Sequence, residues 1–190
     1  MITQAVILCG GKGTRLGELT KNTPKPLLKI CGVPYIQYSV NRLIEVGIED
    51  IVLLVKDLGE KFRYLAGGCI RVSETPDPFS LREEVLNVEG LHKMFVVLNG
   101  DCYPEMDLSS WRLFLQDNYF GKICILEGGK DAGCALVSKE SVEKMSLDCS
   151  NMSGMVGVLE HHKVLDNIGI GSLESVDRAS EYFRRFYGFS

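Results

Sequence analysis

The chain contains no apolar run of the roughly 18 or more residues that a membrane-spanning helix requires. Its first strand-like stretch starts within a few residues of Met1, which leaves no room for a signal peptide and implies a cytoplasmic protein. No C-x-x-C spacing occurs among the seven cysteines, Cys9, Cys31, Cys69, Cys102, Cys124, Cys134 and Cys149. Most lie in or beside apolar stretches, so they read as buried reduced thiols rather than as a zinc site or a disulfide framework. There is no surplus of positive charge: a net charge of −4 argues against a nucleic-acid partner. No internal repeat or linker divides the sequence, and 190 residues suit one α/β domain with its own core.

Two familiar phosphate-binding patterns are also missing. The P-loop string G-x-x-x-x-G-K-[ST] is absent from the N-terminal stretch. The dinucleotide fingerprint G-x-G-x-x-G fails because Gly17 comes one position late after Gly11 and Gly13. What stands there instead is an apolar strand, Ala5-Val6-Ile7-Leu8, running through Cys9 into Gly10, Gly11 and Gly13, then Thr14 and Arg15, and later Lys25 between Pro24 and Pro26. Glycines let backbone N–H groups approach a phosphate chain, and the cations neutralise it. Residues 10–29 carry Lys12, Arg15, Lys21, Lys25 and Lys29 against one acid, Glu18. A positive mouth on an acidic body fits a small polyanion.

Hydrophobic periodicity alternates strand and helix. Strands are expected over Gln4–Cys9, Ile51–Val55, Cys69–Val72, Met94–Leu98, Ile123–Leu126 and Cys134–Val137. Helices are expected over Tyr35–Val46, Gly59–Leu65, from a Ser80-x-x-Glu83 capping box onward, from Ser109 or Ser110 to Gln116, over Ser138–Met145, and at the C-terminus around Leu173–Phe186. Residues 147–157 read as a loop. Helices between hydrophobic strands imply a mostly parallel central sheet with helices on both faces. Ligands in such sheets collect at the carboxyl ends of the strands. One such end reads Leu98-Asn99-Gly100-Asp101, where a carboxylate follows a buried strand through a glycine turn. It suits Mg²⁺, which takes few protein oxygens and several phosphate oxygens; the plainer alternative is a turn or capping residue. His161 and His162 are adjacent, so they point apart on a strand and make no joint metal site. Trp111, Phe114 and Leu115 read as core.

The compound string L-C-G-G-x-G-T-R-L followed by T-P-K-P-L-L-x-I-x-G-x-P resembles the sugar-1-phosphate nucleotidyltransferase family, and its short single-domain, heptose-1-phosphate guanylyltransferase-like branch in particular. The resemblance implies a single-domain Rossmann-like nucleotide-diphospho-sugar transferase fold over residues 1–190. It also implies a Mg²⁺-dependent reaction of a nucleoside triphosphate with a sugar 1-phosphate that releases pyrophosphate. Carried over residue by residue, Arg15 holds the leaving phosphates and Lys25 the α-phosphate. Gly11, Gly13 and Thr14 cradle the chain through their backbone, Leu8, Cys9, Gly10 and Gly11 line the base, and Asp101 holds the metal. Cys9 and Cys102 adjoin these residues, which leaves their thiols open to oxidation with no catalytic task.

Four departures from the family pattern stand out. The glycine-rich loop that contacts base and sugar is replaced by the shorter Asp77-Pro78-Phe79-Ser80-Leu81-Arg82. An N-A-G string whose asparagine touches the sugar reads Asp131-Ala132-Gly133 here. The second metal aspartate of D-I-G-T-P-E falls on Gly169, so Asp166, three residues earlier, is the candidate substitute. The segment that supplies a sugar-phosphate lysine is absent, leaving Lys130, Lys139 and Lys163 undistinguished. These changes keep two other readings open: a cytidylyltransferase for a non-sugar, phosphocholine-like phosphate, with Asp131 pairing a substrate cation, and a catalytically weak nucleotide-binding regulatory module. Nothing chooses between a monomer and a homo-oligomer.

Overall fold

The computed structural model describes residues 1–75, 80–116, 122–125, 131–147, 160–164 and 166–188, with 122–125 and 160–163 described by backbone alone. The chain opens with β1 (Gln4–Leu8), a small hairpin of β2 (Lys29–Ile30) and β3 (Val33–Pro34), and helix α1 (Tyr35–Glu45). Strands β4 (Asp50–Val55) and β5 (Ile70–Glu74) precede α2 (Leu81–Leu86), β6 (Met94–Asn99) and α3 (Leu108–Phe114). Then come β7 (Lys122–Ile125), β8 (Asp131–Ser138), α4 (Lys139–Glu143), β9 (Glu160–Lys163) and α5 (Leu173–Tyr187).

Seven strands form one sheet in the order β5-β4-β1-β6-β8-β7-β9. The pairings β1–β4, β1–β6, β4–β5 and β7–β9 are parallel, and only β8 runs against its neighbours. The mostly parallel sheet expected from the sequence is therefore present. Its central strands are continuous apolar runs because both faces are covered. Alternate residues serve the two faces. Ala5, Ile7, Ile51, Leu53, Val96 and Leu98 pack with α1 and α3, whereas Val6, Val52, Leu54, Phe95 and Val97 pack with Val85 of α2 and Val142 of α4. Trp111, Phe114 and Leu115 lie in the first of these layers, at 2% exposure or less. A third cluster seats α5 on α1, with Phe183 stacked on Tyr38 at a ring separation of 3.8 Å.

Several boundaries differ from expectation for identifiable reasons. Asp107, not Ser109 or Ser110, caps α3, accepting from the Ser110 N–H at 2.7 Å, and the helix ends at Phe114. The capping box at Ser80 is present in both directions. The 59–65 segment is a 3₁₀ turn rather than an α-helix, and α4 is one short turn capped by Ser138. β8 begins three residues early, at Asp131, because pairing with β7 extends it beyond its apolar stretch. The β2–β3 hairpin has no sequence expectation at all. Its turn residues Cys31 and Gly32 both lie at positive φ (50° and 79°), as a two-residue primed turn requires, and cysteine there is a weak turn signal. The histidines at 161 and 162 fall on β9. Of the loop expected at 147–157, all but Leu147 lies outside the described residues, as do residues 76–79 and Lys130. No described helix is long and apolar enough to cross a membrane.

Candidate active site

β1 and β6 are neighbours with Leu8 beside Asn99, so their carboxyl ends open onto one crevice. Sheet bonding continues past both strands: Cys9 N–H donates to Leu54 O and Gly100 N–H to Leu8 O, each at 2.8 Å. The chain then turns through the glycine loop. Gly13 at φ 63° starts a 3₁₀ run, Thr14–Thr20, which Gly17 kinks at φ 54°, and the Thr20 hydroxyl donates to Gly13 O at 2.9 Å. Pro24 and Pro26 fix a second 3₁₀ turn that carries Lys25 inward to 7% exposure. There its ammonium forms an ion pair with the Asp101 carboxylate.

Gly100 allows this approach. A Cβ at that position would stand 2.9 Å from Leu8 O, 3.0 Å from Pro26 Cγ and 3.1 Å from Cys9 Sγ. Any side chain there would wedge β6 away from the glycine loop.

Residues 166–170 zip antiparallel onto 101–105. Glu105 N–H donates to Asp166 O, Ile168 N–H to Tyr103 O and Ile170 N–H to Asp101 O, at 2.8, 2.9 and 3.1 Å. Asn167 pins the ribbon from its side chain, accepting from Tyr103 N–H at 3.2 Å and donating to Cys102 Sγ at 3.3 Å. Tyr35 donates its hydroxyl to Ile168 O. The same ribbon meets the glycine loop, since a side chain at Gly171 would begin 3.9 Å from Arg15 Nη2. Close approaches thus run from Lys25 to Asp101, from Asp101 to Gly169 and from Gly171 to Arg15.

Asp166 is placed elsewhere. Its Oδ1 accepts from Asn167 N–H at 2.7 Å and lies 3.8 Å from Arg178 Nη2, and among the described residues no hydrogen bond or ion pair links it to Asp101. The residue against Asp101 is Gly169, where a Cβ would meet only Asp101 O, at 3.5 Å, with φ outside the left-handed region. An aspartate fits that position without strain. We expect Gly169→Asp to fold normally and to raise metal-dependent turnover several-fold, with Asp166→Ala near wild type. A steady-state assay of both variants checks this, and the opposite ranking would return the second-carboxylate role to Asp166.

Across the crevice, the antiparallel sense of β8 brings its first residues to the carboxyl edge. Gly133 at φ 73° sits so close to Cys102 and Asn99 that a Cβ would lie 2.6 Å from Cys102 Sγ. Asp131 accepts from Gly133 N–H at 2.6 Å, and burial raises its carboxyl above the ordinary aspartate range.

The thiols behave as packing groups. Burial, reinforced by the Asp101 charge, pushes Cys102 up to about 12 and holds Cys9 well above the usual thiol range. Thiolate is the reactive form, so neither is disposed to oxidation near neutral pH. Native alkylation with iodoacetamide at pH 8, read by peptide mass spectrometry, is expected to label the half-exposed Cys31 and Cys69 well before Cys9 and Cys102. Equal labelling would contradict this assignment.

A cavity of about 580 Å³, a volume typical of small-ligand sites, lies between the glycine loop and the turn after β4. Cys9, Gly10, Gly11 and Thr14 form one wall, and Asp57 and Leu58 part of the other. Sequence reading missed those two residues. The available signal was an acidic residue just past the carboxyl end of a buried strand.

Fold and site together define an α/β protein whose glycine loop and carboxylate–ammonium pair meet at the carboxyl ends of β1 and β6. Comparison with known proteins agrees. The chain belongs to the nucleotidyl transferase family, whose model matches residues 4–116. It is 46% identical over 63 residues (33% of this chain, 26% of the relative) to a 2-aminoethylphosphonate cytidylyltransferase of Lancefieldella rimae. It is 34% identical over 119 residues (58% of this chain, 52% of the relative) to the D-glycero-alpha-D-manno-heptose 1-phosphate guanylyltransferase of Campylobacter jejuni. The matched stretches thus span about half or less of those relatives' lengths. In three dimensions it is similar to HddC from Yersinia pseudotuberculosis complexed with GMP-PN, with a TM-score of 0.75, 21% identity, and 96% of this chain and 100% of that chain covered. At that identity the likeness concerns the fold.

Proposed function

We propose that the chain catalyses nucleotidyl transfer, joining a nucleoside triphosphate to a sugar 1-phosphate with release of pyrophosphate. The observation that carries this reading is the meeting of the glycine loop, Arg15 and the Lys25–Asp101 pair on one sheet edge. The acceptor is already an anion and needs no general base. An acceptor phosphate oxygen bonds to the α-phosphorus, the bond to the β-phosphate's bridging oxygen breaks, and pyrophosphate carries the electron pair away. Positioning and charge stabilisation therefore set the rate. Backbone N–H groups of Gly11–Thr14 hold the phosphates, Arg15 takes the developing charge on the leaving pair, and Lys25 turns from Asp101 to the α-phosphate. Asp101 is a hard, half-buried carboxylate facing the phosphate space, which fits Mg²⁺ sharing its coordination with substrate oxygens. When bound there, the ion would neutralise charge between the two anions. A cytoplasmic location, where such substrates are found, is part of the same proposal.

A second reading rests on Asp131. In this reading the carboxylate stands on the acceptor side, where its negative charge would repel a sugar phosphate but pair with the ammonium of an amino-alkyl phosphate; the Lancefieldella relative is named for such an amino compound. Pyrophosphate release separates the two readings. Four triphosphates are assayed with Mg²⁺ against sugar 1-phosphates, phosphocholine and 2-aminoethylphosphonate. Turnover with sugar 1-phosphates supports the first reading and turnover only with the amino compounds supports the second. Nucleotide binding without turnover on either would leave a regulatory module.

A further inference from the structure

Asp57 and Leu58, just after β4, wall the nucleotide cavity opposite the glycine loop, and the residues around Asp57 are held in place. The Lys56 stem lies on Gly10, where a Cβ would stand 3.0 Å from Lys56 Cγ and 3.1 Å from Cδ. The Lys56 ammonium pairs with Glu84 of α2, and the two side chains are only 20% and 10% exposed. A pair so buried adds little net stability, so what it provides is a fixed position. Leu58 adopts φ 58°, ψ 31°, a left-handed conformation that a leucine takes only when its surroundings impose it. Lys61, two residues past Gly59, donates to Asn22 O and ties the turn to the segment after the glycine loop. Strain and a buried ion pair thus converge on the residue between them.

That residue is Asp57. Its side chain is exposed to the cavity shared with Cys9, Gly10 and Gly11. Among the described residues it makes no hydrogen bond and no ion pair, although Lys12 and Lys21 line the same cavity. A carboxylate in a site for a polyanion is unfavourable unless it meets a donor. In the proposed reaction Arg15 and Lys25, neither of which lines this cavity, take the phosphates, which leaves the nucleobase as the part of the ligand able to supply one.

We propose that Asp57 is a specificity-determining residue that selects amine-bearing nucleobases, such as guanine and cytosine, and rejects uracil and thymine. An ionised carboxylate only accepts hydrogen bonds. Guanine offers N1–H and N2–H₂ side by side, and cytosine offers N4–H₂. Uracil and thymine offer one N–H flanked by two carbonyl oxygens, which the carboxylate repels. This inference rests on the reading of the cavity as the nucleotide site.

The test is calorimetric titration of the Mg²⁺ complexes of GTP, CTP, UTP and dTTP into the wild type, Asp57→Ala and Asp57→Asn. The wild type is expected to bind GTP or CTP at least about tenfold more tightly than UTP and dTTP, the discrimination that one hydrogen bond to a charged group provides. Asp57→Ala should flatten that ratio. Asp57→Asn should raise affinity for UTP, because its amide N–H₂ can donate to a uracil carbonyl. A merely structural role would weaken all four equally, so the ratio is the readout. A preference for UTP or dTTP in the wild type, or a ratio unchanged in both variants, overturns the inference while leaving nucleotidyl transfer standing. Absence of binding to any of the four overturns both.

Discussion

Asp101→Asn is expected to lower metal-dependent turnover on the order of 10³-fold or more while the protein stays folded. The substitution keeps the shape of the side chain and removes its charge. That charge neutralises Lys25 in this structure and, in the proposed reaction, would hold the metal against the phosphates. Loss of charge stabilisation worth several kcal/mol corresponds to about three decades in rate. Lys25, only 7% exposed, would also lose its partner. Breaking a fully buried pair costs about 3–5 kcal/mol, and because Asp101 is 34% exposed the cost here is nearer about 1–2 kcal/mol. For a chain of this size that is a fall in Tm of roughly 2–8 °C. Pyrophosphate release against Mg²⁺ concentration, with a thermal melt alongside, measures both. A variant that keeps the wild-type Mg²⁺ response would make Asp101 a turn residue.

The second large effect is expected from Gly100→Ala, set against Gly11→Ala. At Gly100 the added methyl meets backbone at 2.9 Å and two further groups within 3.1 Å, none of them the end of a flexible side chain. Relief requires β6 to part from β1 and Asp101 to move away from Lys25. Overpacking of this kind costs about 1–3 kcal/mol, and a displacement near 1 Å in a positioned site costs about 10²-fold in rate. At Gly11 nothing lies within 4 Å of the added methyl. Gly11→Ala should therefore melt like the wild type and lose triphosphate affinity, because the open space is where the phosphates would approach the backbone. Melting curves and triphosphate titrations of the two variants check the contrast. If Gly100→Ala melts and turns over like the wild type, the β1–β6 junction is more yielding than its close packing indicates.

The readable parts of this molecule were those encoded by local pattern. Ala5–Leu8, Ile51–Val55 and Met94–Leu98 announced buried strands because both sheet faces demand apolar residues. Ser80 and Glu83 announced a helix start because each side chain satisfies the other's backbone N–H. The family was legible in the string from Leu8 to Pro34, because its glycines, cations and prolines stand close together in sequence. What stayed hidden depends on the sheet order. Asp57 gains its place only because β4 lies beside β1, and Asp131 reaches the crevice only because β8 runs antiparallel to β6. Asp166 was a reasonable substitute by sequence distance. The hydrogen-bonded ribbon to residues 101–105 turns it toward Arg178 and sets Gly169 against Asp101 instead. The Cys31–Gly32 turn escaped notice because a cysteine at positive φ carries no compositional signal.

The central claim is that the α-phosphorus of a nucleoside triphosphate is transferred to a phosphate acceptor at the Lys25–Asp101 edge. The most direct measurement follows two labels. With triphosphate labelled at the α-phosphate, the label is expected to appear in a new product joined to the acceptor; with the γ-phosphate labelled, it is expected only in pyrophosphate. Both transfers should disappear in Asp101→Asn. Label from the γ-phosphate on the acceptor, or α-label recovered only as free nucleoside monophosphate, would contradict the account.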